Sequence, residues 1–296
     1  MITGDKNFVS SERFRLQASQ VDKLDVFYMG PGSVWPKVPV GYFDVVTAQD
    51  PLLRGAFARR AAKKIRARLN VQVHMDLQVL PWWKRILAHI VLRRVDSVRV
   101  VSEKIKKQVE SVGIKAPIRV LPVYIDMSKF QNIVRHPSES DSLEKTILWV
   151  GRFEDEKDPL HALEVLKEVL KQVPGAKLIM LGRGSLEAAL RDTSAGLPVE
   201  FPGWRDTAEY LAQVDVVLCT SKHESWGASM IEALAAGVPV VAPDVGIARE
   251  AGATVVGRSD LPRAVAEVLK SGQRGELKLQ LPSAQEWARQ WRQTLD

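Results

Sequence analysis

Short runs of aliphatic and β-branched residues alternate along this chain with longer segments whose apolar positions return every three or four residues. The runs read as strands buried on both faces, and the segments as helices that cover them. In the first half the pattern predicts the end of a strand at 2–3, a helix over 11–20, a strand over 24–28, a turn at Gly30-Pro31-Gly32-Ser33 and a strand over 43–51. A basic helix over 51–68 follows, then strands over 70–76 and 96–102. In the second half strands are predicted over 146–150, 176–181 and 214–220, and Asp158 is expected to cap a helix that Pro159 starts. Strands alternating with helices at this spacing imply parallel sheets, so the fold class is α/β with two doubly wound arrays. A polar stretch from Val123 to Glu144, including Pro137-Ser138-Glu139-Ser140-Asp141-Ser142, marks the linker between them.

The strand over 214–220 runs into His223-Glu224-Ser225-Trp226-Gly227-Ala228-Ser229, and then into a helix with Met230, Ile231 and Leu234 on its apolar stripe. Gly237 and Pro239 end that helix. Ligands of open parallel sheets bind in the crevice beyond the carboxyl ends of the strands, where this loop is expected. Glu224 in the loop and Glu232 in the second helical turn both reach that crevice. Ionised carboxylates only accept hydrogen bonds, so the pair suits a ligand with several hydroxyls, such as a ribose diol and a hexose. Spacing alone favours a plainer reading, a solvated loop charge and a residue favoured by the helix dipole.

Arg152 and Lys157 fall in a loop after the strand over 146–150, where two cations could neutralise a diphosphate; by themselves they would more often be surface charges. Gly182-Arg183-Gly184-Ser185 permits close backbone approach to a ligand. Pro81 to Arg94 is amphipathic, basic and bears Trp82 and Trp83, as an interfacial helix does; a core helix with a solvated basic face fits it as well.

Charge sharpens this division. The net charge of +7 combines residues 1–140, with 24 basic and 12 acidic side chains (+12), and residues 141–296, with 18 and 23 (−5). Most of the excess lies between Arg54 and Lys107, which points to an anionic partner: a phospholipid surface, nucleic acid or a phosphorylated substrate. Nucleic acid is disfavoured, because no recognised module is present. The 296 residues, 46% of them hydrophobic and 26% charged, suffice for two domains. The one cysteine, Cys219, excludes an internal disulfide framework and fits a reducing cytosol. No apolar run reaches a spanning length and the first residues do not form a signal peptide, so neither membrane insertion nor secretion by that route is expected. The five histidines are scattered and no Asp-x-Asp occurs, so no metal is expected.

The segment from Glu224 to Pro239, with Gly227 after the first acid and Glu232-Ala233-Leu234-Ala235-Ala236-Gly237, resembles the E-x7-E signature of the retaining nucleotide-sugar glycosyltransferases of family four. Further resemblance lies in Asp44-Val45-Val46-Thr47-Ala48-Gln49-Asp50, Val71-Gln72-Val73-His74, Val100-Val101-Ser102-Glu103 and Ile118 to Asp126. The family has the GT-B fold, two Rossmann-like doubly wound parallel-sheet domains facing across a cleft. The boundaries it implies are 1–125 for the acceptor domain, 126–144 for the linker, 145–282 for the donor domain and 283–296 for a helix crossing back. The start departs from the family: the first strand is short and Gly4-Asp5-Lys6-Asn7 lacks a glycine pair, which puts donor contacts from that loop in question.

The resemblance implies retaining, metal-independent transfer of a hexose from a nucleoside diphosphate sugar, with UDP or GDP as nucleotide and no further cofactor, to a hydroxyl acceptor in glycolipid or polysaccharide synthesis. Arg152, Lys157, Glu224 and His74 would be catalytic. The donor would touch Arg152, Lys157, Gly182, Gly184, Trp204, Glu224, Ser225, Trp226, Gly227, Ala228 and Glu232, with Glu224 on the sugar and Glu232 on the ribose diol. Glu250 is a further donor candidate. Trp204 either lies against the base or packs in the core. The acceptor side would hold Gln49, Asp50, His74 and Asp76, of which Asp50 before Pro51 equally fits a turn residue. The expected setting is cytoplasmic, peripheral on the inner membrane face through Arg54 to Lys107, with a lipid-linked acceptor. The alternative is a nucleotide-sugar-binding protein of this fold with little or no transferase activity.

Overall fold

The computed structural model of the chain describes residues 1–30, 41–134 and 144–296; Pro31–Ser33 of the predicted turn and the Pro137–Ser142 stretch lie outside them. The described residues form two compact units, Met1–Tyr124 with Leu281–Asp296, and Ile125–Gln280.

In chain order the first unit contributes β1 (Ile2–Thr3), α1 (Glu12–Ala18), β2 (Phe27–Tyr28), β3 (Val45–Ala48), α2 (Leu53–Ile65), β4 (Arg68–Val73), α3 (Trp82–Leu92), β5 (Ser97–Val100), α4 (Glu103–Glu110) and β6 (Ile118–Val120). The second begins with α5 (Ser128–Gln131), β7 (Lys145–Val150), α6 (Pro159–Leu170), β8 (Ala176–Leu181), α7 (Glu187–Thr193) and β9 (Val199–Gly203). It continues with α8 (Thr207–Leu211), β10 (Val216–Leu218), α9 (Ala228–Ala235), β11 (Val240–Ala242), α10 (Ala248–Ala251), β12 (Thr254–Val255) and α11 (Leu261–Ser271). The last helix, α12 (Ala284–Gln293), belongs to the first unit.

Local chemistry sets these limits. Ser11, Ser102 and Ser283 each accept the backbone N–H three residues on, which starts α1, α4 and α12. Three expectations are corrected. The strand predicted over 24–28 keeps only Phe27–Tyr28. The basic helix predicted to residue 68 stops at Ile65, where Arg66 turns left-handed (φ 59°) and releases Arg68 into β4. Asp158 stands at the start of α6 but makes no cap; it is left-handed, and its carboxylate pairs with Arg258.

The first sheet has the order β2-β1-β3-β4-β5-β6 and the second β12-β11-β10-β7-β8-β9, both parallel. The strand order reverses at β1/β3 in the first and at β7/β10 in the second. Carboxyl-end crevices at such switch points hold the ligands of doubly wound sheets.

In the first unit one face of the sheet is polar and still buried. Thr47 donates to Asn70 Oδ1 at 2.7 Å, and Asn70 Nδ2 donates to Ser97 Oγ at 2.9 Å and to the Thr294 carbonyl at 2.8 Å. Arg99, wholly buried, donates to Gln72 Oε1 and to the Leu121 and Pro122 carbonyls, and lies 5.2 Å from the Trp287 ring. Burial, then repulsion from Arg13, pulls the Arg99 pKa down to about 9, which leaves it charged at neutral pH. Trp287 Nε1 donates to the Pro122 carbonyl at 2.8 Å, so α12 is fastened to this face by hydrogen bonds as well as by its two buried tryptophans.

Candidate functional site

The switch point of the second sheet brings together the loop after β7 and the loop after β10. Thr220 ties them: its single O–H is shared between the Lys157 and Asp158 carbonyls, and its oxygen accepts from Trp149 Nε1 at 2.9 Å. Arg258 donates to the Thr220 carbonyl, and Lys222 Nζ reaches Asp155 at 2.6 Å. A crevice floor crosslinked in this way holds its charged side chains in fixed places, which lowers the ordering cost of binding.

On that floor Lys157 forms an ion pair with Glu224, their side chains only 21% and 13% exposed. Ser221 Oγ also donates to Glu224, at 2.9 Å. Arg152, in the same loop, is more exposed and pairs with Glu156. The helix α9 opens at Gly227 (φ 101°) with no side-chain cap, so its first N–H groups suit an anion. Ala228 and Ser225 are half-buried at this opening. The ring of Trp226 is instead buried, and Ile247 N–H donates to its carbonyl, so this residue shapes the loop from beneath.

Glu232 has partners of its own. Thr207 hydrogen-bonds it and Lys129 lies near, while burial is the larger influence and raises its pKa from 4.5 to about 7; Asp206 adds repulsion. The expectation of two ionised acids is therefore corrected: Glu232 is divided between its neutral and charged forms near neutral pH. Lys129 pairs with Asp206, whose other oxygen accepts from Ala208 N–H at 3.1 Å and caps α8. The hydrogen bond from Lys129 holds the Asp206 carboxyl below its usual range. Lys129 comes from α5, in residues expected to be linker, and both α5 and α8 pack on α9.

The glycines after β8 serve the loop beside them. A Cβ on Gly182 would stand 1.8 Å from the Gly151 carbonyl oxygen, and one on Gly184 2.4–2.7 Å from Phe153 backbone atoms. Their close approach is to the β7–α6 loop, where the sequence had led us to expect a ligand. Trp204, just beyond β9, is 54% exposed, which removes the core-packing alternative. Glu250 is exposed on α10.

In the first unit the proposed acceptor residues sit at the carboxyl ends of β3 and β4, and their polar atoms serve the fold. Asp50 is buried, accepts from Leu52 N–H at 2.8 Å and pairs with Arg54, as a turn residue does. Gln49 accepts from Thr3 at 2.6 Å. Asp76 accepts from Gln78 N–H and Gln108 Nε2, both at 2.9 Å, and pairs with Lys104. Burial and the charges of Arg99 and Arg13 hold the His74 pKa well below its usual value, so its imidazole is neutral. In α3 the buried positions are Ala88, Val91 and Leu92, while Trp82, Trp83, Ile86 and Ile90 are 69, 53, 52 and 43% exposed. Its outward face is thus apolar as well as basic.

Sequence reasoning missed Thr220, Arg258, Lys129, Asp206 and Thr207. Thr220 alone carried a sign, a hydroxyl ending an apolar strand; the others come from segments distant in sequence.

Comparison with known proteins follows this geometry. Residues 144–290 match the family described as Glycosyl transferases group 1. The lipopolysaccharide core biosynthesis glycosyltransferase LpsE of Rhizobium meliloti is 29% identical over 154 residues, which is 50% of this chain and 44% of that protein. The alpha-monoglucosyldiacylglycerol synthase of Streptococcus pneumoniae is 27% identical over 180 residues, 55% of this chain and 41% of the relative. The matches thus span less than half the length of these curated relatives. Among solved structures, Anabaena HepE in complex with UDP and glucose superposes with a TM-score of 0.66 at 16% identity, covering 86% of this chain and 74% of that one. The two parallel six-stranded sheets are those of the GT-B fold, and residues 144–290 carry the sequence likeness to the glycosyl transferases group 1.

Proposed function

We propose that the chain is a retaining, metal-independent hexosyltransferase of family four, using a UDP- or GDP-linked sugar and a hydroxyl acceptor in cell-surface glycolipid or polysaccharide synthesis. The observation that carries this reading is the crosslinked floor at the second switch point, where Lys157, Arg152, Glu224 and the uncapped start of α9 stand together. The transition state builds negative charge on the leaving diphosphate and positive charge on the sugar. Arg152, Lys157 and the N–H groups from Ser225 to Ala228 meet the first, which is the charge a metal cation would otherwise neutralise. Glu224 holds sugar hydroxyls and Glu232 the ribose diol, with Trp204 against the base. The acceptor oxygen attacks on the face the diphosphate leaves, so placement and charge stabilisation do the catalytic work. The relatives' names, a lipopolysaccharide core glycosyltransferase and a glucosyldiacylglycerol synthase, support a glycolipid or polysaccharide product.

The same reading places the chain on the cytoplasmic face of an anionic membrane, through the basic region from Arg54 to Lys107 and the outward face of α3. No helix among the described residues is long and apolar enough to cross a membrane.

Binding and hydrolysis of UDP-, GDP- and ADP-sugars, measured on the native chain and on Arg152→Ala and Lys157→Ala, test the assignment. Selective binding and turnover of one nucleotide, with turnover reduced about 100-fold or more in both variants, is expected. Binding without turnover assigns the nucleotide-sugar-binding alternative, and no binding of any donor overturns both.

A further inference from the structure

We infer that Arg258 is a positioning residue for Lys157: it holds Asp158 in a left-handed backbone that aims the Lys157 side chain into the crevice floor, while its own guanidinium bonds to no residue assigned to the donor. The role of Lys157 is that of the transferase reading; the clamp that aims it is read from the loop alone.

Among the described residues only Arg66 and Asp158 have a positive φ without being glycine, and Asp158 stands at φ 49°, ψ 57°. A Cβ makes that region unfavourable, and Asp enters it chiefly when its short carboxylate bonds to nearby backbone. Here the carboxylate caps nothing in α6 and bonds instead to Arg258, 100 residues further on. Pro159 sharpens the choice. A residue before proline is pushed out of the right-handed helical region, so the state that competes for Asp158 is extended backbone. Reaching it swings φ through roughly 170° and turns the loop that carries Lys157 away from α6.

Arg258 closes a ring of hydrogen bonds against that swing. Its Nη1 donates to the Thr220 carbonyl at 2.6 Å and its Nη2 to the Asp158 carboxylate, while the Thr220 hydroxyl is shared between the Lys157 and Asp158 carbonyls, at 3.0 and 2.8 Å. Asp158 is thus gripped at its carbonyl and at its carboxylate, and a planar fork suits two acceptors on different loops as an ammonium does not. On the other side the Lys157 N–H donates to the Glu154 carbonyl at 3.0 Å. With both flanking peptides held, the Lys157 side chain leaves the loop in one direction and its ammonium meets Glu224. The clamp has its own anchor: Arg258 opens the short turn Arg258–Asp260 between β12 and α11, and His161 Nε2 of α6 lies 3.4 Å from its carbonyl. An ion pair whose side chains are 35 and 21% exposed adds little to stability, so its consequence is the direction of Lys157.

A double-mutant cycle on the full chain between Arg258→Gln and Lys157→Ala tests this, read in hydrolysis of UDP-, GDP- and ADP-sugars and, without ligand, in the acetylation rate of Lys157 followed by peptide mass spectrometry. Arg258→Gln should lower kcat about ten- to a hundredfold with KM little changed, because Lys157 meets charge that grows in the transition state. In the Lys157→Ala background the same change should alter kcat within about twofold. Adding Asp158→Gly to Arg258→Gln should restore most of kcat, since glycine takes left-handed backbone freely. Measured against the exposed Lys171, Lys157 should be acetylated about fivefold faster in Arg258→Gln than in the native chain, and Asp158→Gly should reverse this as well. Additive losses of turnover, which would put Arg258 on the diphosphate itself, overturn the inference. So does a lowered thermal midpoint with kcat unchanged, failure of Asp158→Gly to rescue, or an acetylation rate indifferent to Arg258. The ligand-free readout separates the clamp from the reading beneath it. Lys157 released by Arg258→Gln in a chain that turns over no donor sinks the transferase and leaves the clamp; turnover with Lys157 indifferent to Arg258 sinks the clamp alone.

Discussion

With Glu232 on the ribose diol, as proposed, donor affinity becomes a function of pH. Burial outweighs the Thr207 hydrogen bond and the nearby Lys129, and raises its carboxyl from 4.5 to about 7. At about pH 6 roughly a tenth of the chains then carry the carboxylate, and at about pH 8 roughly nine-tenths. A ribose diol donating two hydrogen bonds prefers the ionised acceptor, so nucleotide-sugar affinity should rise about tenfold across this interval. Calorimetric titration with the intact nucleotide sugar is the right assay, because its diphosphate is a diester, whereas a free terminal phosphate has its own ionisation near 6. Glu232→Gln should bind more weakly above neutrality and show a flat profile. The same shift acts on stability with the opposite slope. The unfolded acid ionises near 4.5 and the folded one near 7, so between these values the folded state holds more protons and stability falls as pH rises. The whole span is at most about 3–4 kcal/mol, two and a half pH units at about 1.36 kcal/mol per unit. Denaturant unfolding of the native chain should show this decline and Glu232→Gln should lack it. A native affinity that is flat between these pH values, or an equal slope in Glu232→Gln, refutes the reasoning.

Gly184→Ala should destabilise the second unit by about 1–3 kcal/mol or more, read as a lowered thermal midpoint, because its Cβ would press on the backbone of Phe153, itself wholly buried against Trp149 and Phe201. Trp204→Ala should leave stability within about 0.5 kcal/mol, since the ring is exposed, and should weaken nucleotide binding by about 1–3 kcal/mol if the base stacks on it. Arg99→Met relieves a buried charge that has a glutamine and two carbonyls for partners, yet strips those three acceptors of their donor. At about 1–3 kcal/mol for each unmet acceptor the loss wins, and α12 should become the first site of limited proteolysis.

The grouping of charged residues at the second switch point was legible because its signals are local. Arg152 and Lys157 lie within one loop of a strand end, and Glu224 and Glu232 are spaced across one loop and the first turns of one helix. Which acid stays charged was not legible. It depends on what covers Glu232, and Lys129, Asp206 and Thr207 come from α5 and from the start of α8, segments with no sequence sign of meeting α9. The linker reading of residues 126–144 failed to find Lys129 for the same reason: a four-residue helix carries too few positions to show a period.

The first unit teaches a different lesson. Asn70-Val71-Gln72-Val73 and Ser97-Val98-Arg99-Val100 alternate polar with apolar, the pattern of strands with one face in water, although the apolar content and the spacing placed them in a covered parallel sheet. Both signals are right. The sheet is covered on both sides, and on one of them the cover lies over a hydrogen-bonded ladder from Thr47 through Arg99, with Trp287 stacked on the guanidinium and the Thr294 carbonyl closing the end. A greasy face would accept many apolar helices in several registers; a ladder of fixed donors and acceptors accepts α12 in one. The polar alternation therefore encodes where the last helix docks, and its partners, nearly two hundred residues or more further along the chain, are what a reading confined to one strand at a time cannot supply.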